Sequence, residues 1–96
     1  MPYEVEVAPS AVAQILSLDP RLIDAADVAL QLLADDPHGV SRPSAPPAEM
    51  PGYLVYDVPQ TLDGRRHLLK FLFNFRNDGL TLEVLRVGHI EYGNPP

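Results

Sequence analysis

Near its C-terminal end the chain reads Leu85-Arg86-Val87-Gly88-His89-Ile90-Glu91-Tyr92, a stretch holding residue types suited to proton transfer. Histidine is the side chain whose ordinary pKa lies near neutrality, so His89 can act as acid or base. Glu91 and Tyr92 are close enough in sequence to orient it or to share a proton with it. Arg86 adds a fixed positive charge. His89, Tyr92 and Arg86 are the candidate catalytic residues. On an extended strand, side chains alternate between faces, which puts His89 and Glu91 on one side and Arg86 and Tyr92 on the other unless a bulge intervenes. The apolar pattern changes phase between Val84 and Leu85, where a bulge is expected. The non-catalytic reading of the same residues is a surface histidine and a tyrosine packed on the edge of the core.

The remaining cations gather upstream. Arg65-Arg66-His67 opens a strand beside a turn, where charge also keeps an edge from pairing with other chains. Lys70 and Arg76 follow. The three histidines, His38, His67 and His89, are scattered, and there is no cysteine. A metal centre needs several convergent ligands, so no metal site and no cofactor is expected. The chain has no glycine-rich phosphate loop, no GxSxG nucleophile motif and no aromatic ladder interleaved with basic residues.

These residues must be positioned by one small domain, because the chain has 96 residues, 46% of them hydrophobic. Residues 1–93 read as that domain and 94–96 as a tail. The absence of cysteine excludes disulfides and fits a cytoplasmic protein. No signal peptide is expected, since Met1 is followed at once by strand-like residues, and no apolar run reaches the roughly 18–20 residues that span a bilayer. The net charge of −6 argues against a general nucleic-acid binder, whose affinity rests on neutralising phosphates. Its distribution is uneven. Residues 1–41 hold seven acidic residues and only Arg21, whereas residues 42–96 hold six basic and six acidic residues. A basic patch on the second half and a set of merely solvated strand faces are both consistent with that balance.

The strongest structural signal is the run His67 to Tyr92. Leu69, Phe71, Phe73 and Phe75 recur at every second residue, marking one buried face of a β-strand. Asn77-Asp78-Gly79 is a hairpin signal, because Gly accepts the positive φ that such turns need. Leu80, Leu82 and Val84 then alternate again. The even-numbered residues Leu68, Lys70, Leu72, Asn74 and Arg76 should face the other way. Cations mixed with leucines make that a candidate binding face, with Lys70, Arg76, Leu68 and Leu72 as its contact residues.

Upstream, Tyr3, Val5 and Val7 alternate with Glu4 and Glu6 as a half-buried strand. Pro9-Ser10 opens a short helix, capped by Ser10 or a neighbour, whose apolar stripe is Val12, Ile15, Leu16 and Leu18. Asp19-Pro20 starts a second helix, with Asp19 as N-cap, Pro20 at its first position and a Leu18–Ile23 staple. Its buried face is Leu22, Ala26, Ala29 and Leu33, widened by Ile23 and Leu30. Asp35 and Asp36 end it against the helix dipole, for no reason evident in the sequence. Residues 37–51, with five prolines, read as a long loop. A strand over 52–58 ended by Pro59, and a turn at Leu62-Asp63-Gly64, complete the order β-α-α-β-β-β. The expected fold is α+β, a four-stranded antiparallel sheet with two helices packed on one face.

That order resembles the RelE/ParE toxin superfamily, the toxins of bacterial toxin–antitoxin pairs. The similar pieces are Tyr3-Glu4-Val5-Glu6-Val7 with its following helix, Asp36-Pro37, Gly52-Tyr53-Leu54-Val55-Tyr56, and Leu82-Glu83-Val84-Leu85-Arg86-Val87-Gly88-His89. The resemblance implies a toxin-like protein that cleaves RNA or blocks translation, with RNA or the ribosome as target and an antitoxin protein as partner. This chain departs from the pattern by its acidity and by Leu54 and Ile90, which stand where family nucleases often carry arginine. Such arginines hold phosphate or transition-state charge, which Leu and Ile cannot do. The alternative expectation is therefore a catalytically silent relative that binds a protein partner through its open sheet face, anchored by Leu68 and Leu72. No membrane partner is expected, and the oligomeric state is not legible.

Overall fold

The computed structural model describes residues 2–47 and 49–92; the expected tail 94–96 lies outside them. Its elements are β1 (Glu4–Val7), α1 (Pro9–Leu16), α2 (Pro20–Asp35), α3 (Pro37–Val40), β2 (Arg42–Pro43), β3 (Leu54–Leu62), β4 (Arg65–Phe75) and β5 (Thr81–Tyr92). The strands form one sheet in the order β1-β5-β4-β3-β2. The class is α+β as expected, but among the described residues the sheet has five strands, not four, and is mixed rather than antiparallel. β1 lies parallel to β5, with Val5 beside Leu82 and Val7 beside Val84. That register extends the inward apolar row by two valines, and Glu4 N–H to Leu80 O (3.1 Å) and Ala8 N–H to Val84 O (2.9 Å) fasten its ends.

The ribbon of β4 and β5 is the centre of the sheet. Leu69, Phe71, Phe73, Leu82 and Val84 are wholly buried beneath the helices. Ala26, Ala29 and Leu33 of α2 meet them, the alanines allowing close approach. Asp19 caps α2 by accepting from the Arg21 N–H at 2.9 Å, and Pro20 occupies its first turn. Asp36 also acquires a reason: its carboxylate accepts from the Gly39 N–H at 3.0 Å and so caps α3. A Cβ at Gly39 would lie 2.0 Å from that carboxylate, so a side chain there would displace the cap.

Several local expectations are corrected. α1 begins at Pro9 with Ala8 as an N-cap that makes no side-chain bond, so Ser10 is not the cap. Its buried face is Ala11 and Ile15, while Val12 and Leu16 remain 40% and 67% exposed. In a two-turn helix, one i, i+4 pair suffices to seat it on β5. Loop 37–51 contains α3 and the short β2. β3 runs through Pro59 to Leu62, because β2 pairs only with Leu54 and Val55 and leaves Pro59 on an unpaired edge, where a missing donor is tolerated. Leu80 lies in the turn and is exposed.

Both hairpins form. Asp63 and Gly64 have positive φ (53° and 76°), as a two-residue hairpin turn requires. Between β4 and β5, Gly79 has φ 69°, and the Asp78 carboxylate accepts from the Leu80 and Thr81 N–H groups, each at 2.9 Å. The expected bulge is present: Leu72 pairs with Arg86 and Phe73 with Val84, so Leu85 is the extra residue. Beyond it the odd-numbered residues of β5 face the helices.

Candidate functional site

The sheet surface turned away from the helices is built from register. Leu72 pairs with Arg86, Lys70 with Gly88, Leu68 with Ile90, and Arg66 with Tyr92. On the other flank, Val55 pairs with Leu72 and Asp57 with Lys70. Alternation therefore puts Arg66, Leu68, Lys70, Leu72, Arg86, Ile90 and Tyr92 on one open face. Lys70, Leu72 and Arg86 line a groove of about 350 Å3 together with Glu49, Met50, Val55, Gly88 and Ile90. Leu68 lies at its end, opposite Ile90, and Tyr92 lies one further pair along the ribbon.

His89 is not in this groove. It pairs with Leu69 on the helix-facing side, where His67 and Glu91 also lie. The ring nitrogens His67 Nδ1 and His89 Nε2 are 2.9 Å apart, and the two rings stack with centroids 5.2 Å apart. Arg65 Nη1 donates to Glu91 Oε1 at 2.9 Å. The Arg65 hydrogen bond, chiefly, holds the Glu91 carboxyl below the usual range. The candidate catalytic set is thus divided by the sheet, with His89 on one side and Arg86 and Tyr92 on the other. No group of three or more His, Asp or Glu side chains is assembled to hold a metal among the described residues. His38 stands apart from both groups, stacked on Phe75 at 4.9 Å.

Arg76 is not part of this groove; it lines a separate hollow with Tyr53, Asn74 and Glu83. It bridges two carboxylates across neighbouring strands, Nη2 to Glu83 Oε2 at 2.9 Å and Nε to Glu6 Oε1 at 3.2 Å. It is engaged, half-exposed, in tying β1 to the central hairpin.

The residue that organises the open face is one the sequence reading did not single out. Glu49, in the segment between β2 and β3, returns over the sheet and its side chain is only 12% exposed. Its carboxylate accepts from Arg42 Nη1 (2.7 Å), Arg42 Nη2 (2.8 Å), the Ala45 N–H (2.7 Å) and Lys70 Nζ (3.0 Å). Arg42 also donates from Nε to Asp57 Oδ2 at 2.6 Å. The Arg42 bonds, then the Ala45 amide and Lys70, hold the Glu49 carboxyl well below the ordinary carboxylate range. Its bonds to Glu49 and then Asp57 raise the Arg42 guanidinium. Val55 is 2% exposed although it faces away from the helices, because Glu49 and Met50 close the groove against it. Neither Arg66 nor Arg86 has an ion-pair partner among the described residues. The one sequence signal of this network was the equal count of cations and carboxylates after residue 41.

Chemically, the groove presents an aliphatic wall, one unpaired guanidinium and a lysine already matched to a carboxylate. It can grip an anion and an apolar side chain together. Among the described residues it contains no imidazole, and its single carboxylate is occupied by four donors.

Comparison with family models and with curated proteins gives no match. Among solved structures, the fold is similar to a chain in the crystal structure of the toxin–antitoxin complex RelBE2 from Mycobacterium tuberculosis. The TM-score is 0.63 at 25% identity, over 94% of this chain and 100% of the other.

Proposed function

From the RelE-like toxin fold that this chain carries, divergent in sequence, we propose that it is the toxin-like member of a toxin–antitoxin pair and that its open sheet face receives a partner polypeptide. One observation carries the choice of a binding role over RNA cleavage: His89 and Glu91 share the helix-facing side, while Arg86, Lys70 and Tyr92 share the other. Cleavage at a 2′-hydroxyl needs a base and an acid around one phosphate. A groove with Arg86, Leu72 and Ile90, whose only carboxylate is matched to Arg42 and Lys70, suits recognition better. Leu68 and Leu72 are the apolar anchors and Arg86 the charged one; Arg76 is structural.

The test is co-expression with the product of an adjacent short reading frame, followed by capture of the complex. Arg86→Glu abolishes capture, and His89→Ala leaves it intact. Capture unaffected by Arg86→Glu overturns the placement of the partner surface. Growth arrest on induced expression of the chain alone, lost in His89→Ala while the protein stays folded, overturns the binding role in favour of RNA cleavage.

A further inference from the structure

The open face carries its own specimen of a ligand. After β2, the Ser44 N–H donates to Tyr53 O (3.0 Å) and the Glu49 N–H to Ala45 O (3.1 Å). Glu49 lays its carboxylate between Arg42 and Lys70, and the flexible apolar side chain of Met50 lies along the same groove. The rest of the groove stays open, with Leu72 and Ile90 as wall and Arg86 as an unmatched cation. Met50 and Ile90 are 48% and 43% exposed, so the apolar strip is only half covered.

We propose that Glu49 and Met50 are an internal stand-in for the partner, and that the groove takes an external segment in which a carboxylate is followed by an aliphatic side chain. This rests on the open-face reading above and names the chemistry of its occupant. The argument is complementarity. A carboxylate between two cations satisfies charges that would otherwise face an apolar wall, and the bidentate Arg42 contact is specific for a planar oxyanion. An external carboxylate has Arg86 open to it directly, and Lys70 with the Arg42 Nη groups once Glu49 is displaced. The Arg42–Asp57 pair persists when Glu49 leaves, so the displaced state keeps β2 attached to β3. Glu49 therefore competes with the partner, and its removal strengthens binding rather than weakening it. A simple structural role for Glu49 has the opposite consequence.

The experiment uses the full chain and a fluorescein-labelled eight-residue peptide alternating glutamate and leucine, with a glutamine-for-glutamate counterpart as control. Binding is read by fluorescence anisotropy, and the site by shifts of the Val55, Leu72, Gly88 and Ile90 amides in nitrogen–proton correlation spectra. Glu49→Gln tightens the glutamate peptide by about tenfold, and Arg86→Gln loosens it by a similar factor. The glutamine peptide stays weak with every variant. Glu49→Asp, which keeps the charge on a shorter arm, falls between wild type and Glu49→Gln. Unchanged or weaker binding in Glu49→Gln, equal binding of the two peptides, or shifts confined to other amides overturns the proposal. So does a Glu49→Gln variant that tightens a single-stranded RNA oligonucleotide but not the peptide. If Arg86→Glu abolishes partner capture while Glu49→Gln leaves both capture and peptide binding unchanged, the open-face reading stands and this inference falls.

Discussion

The two faces of the β4–β5 ribbon are made from the same strands, yet they are held together by different physics. On the helix side, Leu69, Phe71, Phe73, Leu82 and Val84 form a dry row with no polar member. On the other side, Leu68, Lys70, Leu72 and Arg86 alternate apolar and cationic groups, and a returning loop supplies the matching carboxylate. The first face is fixed by exclusion of water, with no titrating group and no ion pair for salt to screen. The second is fixed by charge-assisted hydrogen bonds at partly exposed groups, which are sensitive to pH and salt. A surface of the second kind can exchange one partner for another without unfolding the first.

The largest expected effect breaks the dry face. Phe71→Ala should destabilise the fold by about 3–5 kcal/mol, since a buried phenylalanine leaves a cavity among residues that cannot all collapse. Leu72→Ala, one residue along and half-buried on the open face, should lose less than about 2 kcal/mol. Urea denaturation followed by circular dichroism compares them. Equal losses would mean that the open face is as much a core as the other.

Next comes the turn joining the two strands, which serves both faces equally. Gly79 has φ 69°, and among the described residues nothing beyond its chain neighbours lies within 4 Å of where a Cβ would sit. Gly79→Ala therefore meets only backbone strain, about 1–2 kcal/mol, with no change in peptide affinity. Denaturation and anisotropy on the same variant separate the two readouts.

A smaller effect isolates the charged face. The Glu49 carboxyl is held well below its ordinary range in the folded protein. A depressed folded pKa adds stability that is fully present above the unfolded value of about 4.3 and is lost as pH falls through the folded one. Thermal melts should find wild type more stable than Glu49→Gln above about pH 5, with the gap narrowing on acidification. Phe71→Ala should give a gap independent of pH over the same window. A Glu49→Gln gap that widens in acid would contradict the assigned ion pairs.

How much of this was legible depended on whether a residue's partner lay within a periodic pattern. The phenylalanine row, the Asp19-Pro20 helix start, both Gly turns and the phase change at Leu85 each declare themselves locally, and each appears in the fold. The position of β1 does not. Alternation of Tyr3, Val5 and Val7 says strand but names no neighbour, and pairing with β5 is decided some 77 residues away, where Leu82 and Val84 complete the apolar row. β2 was hidden because two residues carry no period. Parity did anticipate the separation of His89 from Arg86 and Tyr92. Glu49 escaped because it sits in a proline-rich segment without periodicity, and only coordinates bring it over Lys70.

The smallest effect on stability should accompany a large effect on binding, and it falls at Arg86. Its side chain is exposed, it has no ion-pair partner among the described residues, and it contributes no backbone exception beyond its place next to the bulge. Arg86→Ala should therefore change stability by no more than about 0.5 kcal/mol. The same substitution removes the one unmatched cation of the groove, so peptide affinity should fall while the melting curve stays put. That pairing of outcomes is what distinguishes a recognition residue from a structural one such as Arg76, whose two ion pairs join β1 to the central hairpin. Arg76→Ala should lower the melting temperature and leave affinity unchanged. If the two arginines behave alike in both measurements, the open face has no specialised groove, and the contrast between the two sides of the ribbon reduces to one buried surface and one merely solvated.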